Sequence, residues 1–143
     1  PTRRSSDLFF ISGDLATMDA EGRVAIVGRS KDLIISGGLN VYPKEIETEI
    51  DALPGIAEAA VIGVPHPDFG EAVVAVAVAT RSENRLSESD MIARLALRLA
   101  KFKTPKRIIF VDELPRNTMG KIQKAVLAAR FAHLFVAEVP ADI

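Results

Sequence analysis

The chain is 143 residues long, 48% hydrophobic and 26% charged, which excludes a disordered polypeptide and allows one domain, or one domain and part of another, around a genuine core. A formal net charge of −1 leaves no footprint for nucleic acid as a main partner, and the absence of cysteine removes disulfides, thiolate nucleophiles and zinc ribbons. The longest uninterrupted apolar run, residues 72–79, is far too short to span a bilayer, so no membrane partner is expected and the cytoplasm is the default compartment.

Residues 1–8, PTRRSSDL, lack the apolar core of a signal peptide. They look like a translated sequencing adapter and are expected to be non-native. Phe9-Phe10-Ile11 leads into Ser12-Gly13-Asp14. Residues 15–19 and 23–27 flank the turn Ala20-Glu21-Gly22 and are expected to pair as a hairpin. Gly28-Arg29-Ser30-Lys31-Asp32 is short and polar and reads as a joint. Residues 33–35 and 39–42 around Ser36-Gly37-Gly38 suggest a second hairpin or an open glycine loop. Pro43 suits the first position of a helix whose apolar stripe is Ile46, Ile50 and Leu53, stopped by Pro54-Gly55.

Residues 56–64 and 72–79 are valine-rich and strand-like, joined through His66-Pro67-Asp68-Phe69-Gly70. Ser87 is a good N-cap for a helix with Met91, Ile92, Leu95 and Leu99 facing inward. Residues 107–111 form a third strand. A last helix is expected from Lys121 to about residue 135, with 136–143 as a loose tail. The order points to an α+β fold: a small three-stranded sheet with packed helices, plus hairpins.

Several short stretches are candidates for chemistry. Pro115-Arg116-Asn117-Thr118-Met119-Gly120-Lys121 places a lysine after turn formers and before the helically spaced Ile122, Val126 and Ala129, so Lys121 is expected on the first turn of a helix. A cation is disfavoured there and an anion welcome, and a broken local rule often marks a working site. The pair is not a P-loop, because Pro115 and Ile122 stand where that motif needs glycine and Ser or Thr. Asp14 can present a carboxylate to the vicinal hydroxyls of a ribose, or simply cap its own loop. Arg29, fifteen residues later, can donate to the same diol or to a phosphate, or make a surface ion pair.

Gly37 and Gly38 let backbone approach a thin ligand closely, or merely turn tightly. His66, Asp68 and Glu71 sit among Pro65 and Pro67, which favours a rigid turn over a metal site, and no metal ligands are assigned. Lys101, Lys103, Lys106 and Arg107 form a basic run suited to a solvated face or to phosphates.

Order and spacing together are more specific than any one of these. FFISGDL, GRSKDLIISGGLNVYPKEIETEI, VIGVPHPDFGEAVVAVAV and FKTPKRIIFVDELPRNTMGKIQK resemble the C-terminal end of the acyl-adenylate-forming family, which includes acyl-CoA synthetases, luciferases and adenylation domains of peptide synthetases. The resemblance covers residues 9 to about 135, and PHPDFGE with RIIFVDELPRNTMGKIQK looks most like malonyl-CoA and methylmalonyl-CoA synthetases. It implies a two-step ligase: a small carboxylic acid attacks ATP, with Mg2+, to give acyl-AMP, and the thiol of coenzyme A then displaces AMP.

The resemblance also implies site residues. Asp14 and Arg29 would bind nucleotide, Lys31 or Asp32 would be the hinge, Ser36, Gly37 and Gly38 would line the coenzyme A tunnel, and Lys121 would serve adenylation. Residues 9–31 would be the last strands of a large N-terminal domain and the hinge, and 32–135 the small mobile domain. The phosphate loop, adenine pocket and acyl pocket would lie upstream on that large domain, so the chain looks truncated and is expected to be inactive alone. Ile35 stands where several relatives carry a lysine, which puts a contribution from that position in doubt. The alternatives are an adenylation domain that loads a carrier protein and a non-catalytic module docking through residues 101–107.

Overall fold

The computed structural model describes residues 12–81 and 85–136; the expectations for 1–8, 9–11 and 137–143 lie outside them. Its centre is β6 (Gly70–Ala79), whose run GEAVVAVAVA alternates between two covered faces. Val73, Ala75 and Ala77 join one apolar cluster, and Ala72, Val74 and Val76 join the other. A strand buried on both sides has no polar face to show, which is why the sequence there reads as an uninterrupted apolar run.

Along one edge β6 pairs antiparallel with β5 (Ile56–His66), from Ile56 opposite Ala79 to His66 opposite Gly70. Along the other it pairs in parallel with β7 (Arg107–Val111), Val74 opposite Arg107. Parallel pairing needs a crossover, and α2 (Glu88–Ala96) supplies it. Ser87 caps α2, its side chain accepting the Asp90 N–H at 3.1 Å. α1 (Pro43–Asp51) begins on a proline whose missing N–H would have had no helical partner anyway.

Ile46 and Ile50 of α1 and Met91 and Leu95 of α2 bury against the first face of the sheet, together with Val61 and Ile108. Leu127 of α3 (Lys124–Arg130), with Leu114, covers the second face. Leu99 is buried as expected but lies just past α2, its N–H bonded to the Leu95 carbonyl.

Two hairpins complete the chain. β1 (Asp14–Met18) and β2 (Val24–Arg29) form a separate two-stranded sheet, followed by one 3-10 turn, Ser30–Asp32. β3 (Ile34–Ser36) and β4 (Leu39–Val41) meet at Gly37-Gly38. The α+β class is as expected, but the main sheet has five strands where the sequence suggested three. The second hairpin joins it through a single pairing, Ser36 opposite Gly70.

The last helix is the clearest departure. It begins at Lys124, so Lys121 is not on its first turn. The reason is local: Arg116 pairs with Ile122 as an isolated bridge, the Lys121 N–H goes to Asn117 Oδ1 at 2.9 Å, and the Gln123 N–H goes to the Pro115 carbonyl at 2.8 Å. Groups that would have opened a helix at 121 close a turn instead. Phe131, Leu134 and Phe135 lie beyond the helix end, packed against the second cluster.

Three glutamates hold strand N–H groups that no neighbouring strand reaches. Glu47 of α1 accepts from Val61 at 2.9 Å, Glu71 of β6 from Ile35 at 2.8 Å, and Glu88 of α2 from Ile108 at 2.9 Å. Among the described residues β5 and β7 flank β6 with no strand on their outer sides, so Glu47 and Glu88 cover donors that would otherwise invite another chain.

Candidate functional site

Gly120 adopts φ +78°, a left-handed conformation that only glycine enters without strain. Within this turn Asn117 Oδ1 accepts from both Met119 and Lys121, and the Asn117 N–H returns to the Lys121 carbonyl at 2.9 Å. Lys121 is thus held at its backbone on both sides while its side chain stays exposed. Among the described residues its amine has no hydrogen-bond or ion-pair partner.

The amine borders an open groove of about 620 Å³. Arg29, Lys31 and Asp32 enter the groove from the joint, Lys124 from the start of α3, and Glu71 from β6. Four cations therefore share one cavity wall with two carboxylates. Lys124 is committed elsewhere, paired with the Glu47 carboxylate, and Glu71 is engaged by Ile35. Arg29 reaches Asp14 at 3.7 Å across the β1–β2 pairing that sets these two residues opposite one another. Cations gathered along one wall focus the field in the groove and raise the local concentration of anions.

The structure thus brings Lys121, Arg29, Lys31 and Asp32 together, with Asp14 attached through Arg29. It does not bring Ser36, Gly37 and Gly38 to that groove. They form the β3–β4 turn, with φ +58° at Gly37 and +78° at Gly38, positive at both central residues as a two-residue hairpin of this kind requires. The Gly37 N–H donates to the Phe69 carbonyl at 2.9 Å, and a side chain at Gly38 would meet nothing within 4 Å.

Phe69, exposed beside this turn, stacks on His66 at 4.6 Å, and Lys106 lies 5.1 Å above the Phe69 ring. The sequence reading missed this aromatic and cationic edge. Its only sequence signal was an exposed-type aromatic inside a proline-rich turn. The basic run is mixed, since Lys103 pairs with Glu45 and Arg107 with Glu88.

His66 Nδ1 accepts the Asp68 N–H at 3.1 Å. Among the described residues no group of three or more His, Cys, Asp or Glu could hold a metal ion.

The molecule is a small α+β domain that carries a groove lined by four cations and two carboxylates beside a polar joint, with a separate glycine turn. The sequence matches the AMP-binding enzyme C-terminal domain over residues 45–121, more than half the chain, and the protein belongs to that family. Its relatives include the long-chain-fatty-acid–CoA ligase FadD13 of Mycobacterium tuberculosis, 45% identical over 87% of this chain and 24% of that protein, and a feruloyl-CoA synthase of Amycolatopsis, 46% identical over 87% and 25%.

Among solved structures, ATP-bound MatB from Rhodopseudomonas palustris matches at 56% identity with a TM-score of 0.81, covering 88% of this chain and 25% of that one. The o-succinylbenzoate CoA synthetase MenE of Bacillus subtilis, complexed with its acyl-adenylate intermediate, matches at 34% with a TM-score of 0.77, covering 88% and 27%. The chain therefore spans about a quarter of the length of the relatives it matches. No helix among the described residues is long and apolar enough to cross a membrane.

Proposed function

We propose that this domain works in an ATP-dependent acid–CoA ligase, cytoplasmic and acting on a small dicarboxylic acid of the malonate type, in which it serves both half-reactions from two different surfaces. The observation that carries the reading is the Lys121 amine, without a partner among the described residues and set on a backbone-fixed turn in the groove that Arg29 and Lys31 share. Adenylation must bring a carboxylate against a triphosphate. A cation between them reduces that repulsion and stabilises the charge that develops at the α-phosphate, an effect whose removal typically costs about 3–4 kcal/mol.

In this reading Asp14 accepts from the ribose hydroxyls and Arg29 assists it. Residues 9–31 are the end of a larger N-terminal lobe that holds most of the nucleotide and the acid. The exposed apolar side chains of Met18, Val24 and Ile26 suit a hairpin that continues into such a lobe. Lys31 or Asp32 is the pivot, and residues 32–135 turn about it. Thioester formation requires a narrow path for the pantetheine sulfur, and the turn at Ser36-Gly37-Gly38, which is not part of the groove lining, provides glycine backbone for it. Support for a malonate-type acid comes from PHPDFGE and RIIFVDELPRNTMGKIQK, which resemble malonyl-CoA and methylmalonyl-CoA synthetases.

The test joins this domain to the large lobe of R. palustris MatB in place of that enzyme's own C-terminal quarter. Lys121→Ala is expected to lower acyl-AMP formation about a hundred- to a thousand-fold while synthetic acyl-AMP still reacts with coenzyme A. Gly38→Leu is expected to do the reverse, with Gly38→Asn as the control because asparagine tolerates positive φ. Equal losses in both half-reactions would refute the assignment.

A further inference from the structure

The peptide group between Gly120 and Lys121 has one carbonyl and one N–H, and a side chain holds each. The N–H donates to Asn117 Oδ1 at 2.9 Å. The carbonyl of Gly120 accepts from Arg116 Nη1 at 2.8 Å. The other terminal nitrogen of that guanidinium donates to the Glu58 carboxylate, 58 residues away in the chain on β5. The plane of this peptide sets the direction in which the Lys121 Cα–Cβ bond leaves the turn, because φ of Lys121 turns about the N–Cα bond that starts from it. A turn with glycine at its bend would otherwise be free to rock that plane.

We propose that Arg116, anchored on Glu58, is a positioning residue for the adenylation amine: it fixes the Gly120–Lys121 peptide against the sheet and so aims Lys121 into the groove. The inference rests on the role given to Lys121 above. A planar guanidinium can bridge a carbonyl and a carboxylate in fixed geometry, whereas an ammonium on a flexible stem cannot do so at the same reach. Both partners are partly exposed, so as an ion pair alone they would contribute little to stability. Their value lies in direction, and a misplacement of about 1 Å at a reacting centre can cost roughly a hundred-fold in rate.

The test uses the same hybrid enzyme together with the 143-residue chain itself. Arg116→Ala is expected to lower kcat for acyl-AMP formation by about ten- to a hundred-fold, with little change in KM for ATP and none in the reaction of synthetic acyl-AMP with coenzyme A. Glu58→Gln gives a smaller loss in the same half-reaction, and Arg116→Lys recovers only part of the rate. In a Lys121→Ala background, Arg116→Ala adds nothing, because its effect runs through the amine.

Loss of equal size in both half-reactions, or an undiminished further loss in the Lys121→Ala background, would overturn the proposal. A readout without catalysis separates its failure from that of the Lys121 assignment. In the 143-residue chain, Arg116→Ala must speed hydrogen exchange at the Lys121 amide while leaving that of Val61 unchanged. Unaltered exchange at Lys121 overturns the positioning role, whereas wild-type adenylation by Lys121→Ala overturns the assignment of the amine.

Discussion

The two glycine turns of this domain differ in how far side chains hold them. At Gly37-Gly38 the main chain does the fastening: Ser36 pairs with Gly70 and the Gly37 N–H reaches the Phe69 carbonyl, with Glu71 holding the preceding Ile35 N–H. At Gly120 the main-chain bonds that close the turn, from Asn117 to the Lys121 carbonyl and from Gly120 to the Asn117 carbonyl, are joined by bonds from the side chains of Asn117 and Arg116. A turn fixed by backbone moves only with its sheet, while a turn fixed by side chains can be retuned one residue at a time. The difference suits a surface that must stay open for a thin ligand and a lysine whose aim must be set.

The comparison can be broken most severely at Gly63. A Cβ there would stand 2.8 Å from Glu71 Oε1 and 3.1 Å from Ile34 Cγ2, so Gly63→Ala is expected to shift the carboxylate whose other oxygen accepts the Ile35 N–H. We expect a loss of about 1–3 kcal/mol, read by urea denaturation, and faster exchange at Ile35. Stability within a few tenths of the parent would show that the first turn does not depend on Glu71. Asn117→Ala sharpens the contrast from the other side. It removes two exposed hydrogen bonds, an expected cost of about 0.5–1.5 kcal/mol, and frees the Met119 and Lys121 amides without disturbing Ile35.

The smallest effect is one of pH. Burial tends to raise the Glu88 carboxyl, but the Ile108 N–H and the Arg107 guanidinium outweigh it and hold the group below the ordinary glutamate value. A carboxyl depressed in the folded state contributes stability that is present above its unfolded pKa and is lost as pH falls through the folded one. Asp51 is shifted upward, chiefly by burial, and works in the opposite sense. Glu88→Gln should therefore flatten the acid side of the stability curve relative to the parent, the Asp51 contribution being common to both. An unchanged acid limb in thermal melts would remove Glu88 from the account.

Much of this fold was legible because its signals are local. Pro43, Pro54-Gly55 and Ser87 mark helix ends by their own chemistry, and residues 107–111 carry the β-branched and aromatic side chains of a strand. What escaped was set by distant partners. Asn117 consumes the donors that would have begun the last helix at Lys121, and a periodic apolar pattern cannot reveal that. The second hairpin joins the sheet through one pairing, too little to leave a trace in composition. The sequence drew no notice to Glu47 or Glu88, and to Glu71 only as a metal ligand set aside, because the N–H groups they hold lie 14, 36 and 20 residues away. Lys121, Arg29 and Lys31 were each weak alone, and only the folded chain places them around one groove.

The double-sided burial of β6 has a practical consequence for handling the protein. Six consecutive residues, Ala72 to Ala77, are fully covered, and α3 with Leu114 shields one whole side of them. A shortened version ending before Lys124 would present Ile62, Val64, Val74 and Val76 to solvent as a flat, uncharged β-rich strip, the kind of segment that stacks into fibrils. Expression boundaries placed inside the last helix should therefore yield inclusion bodies rather than a smaller working domain.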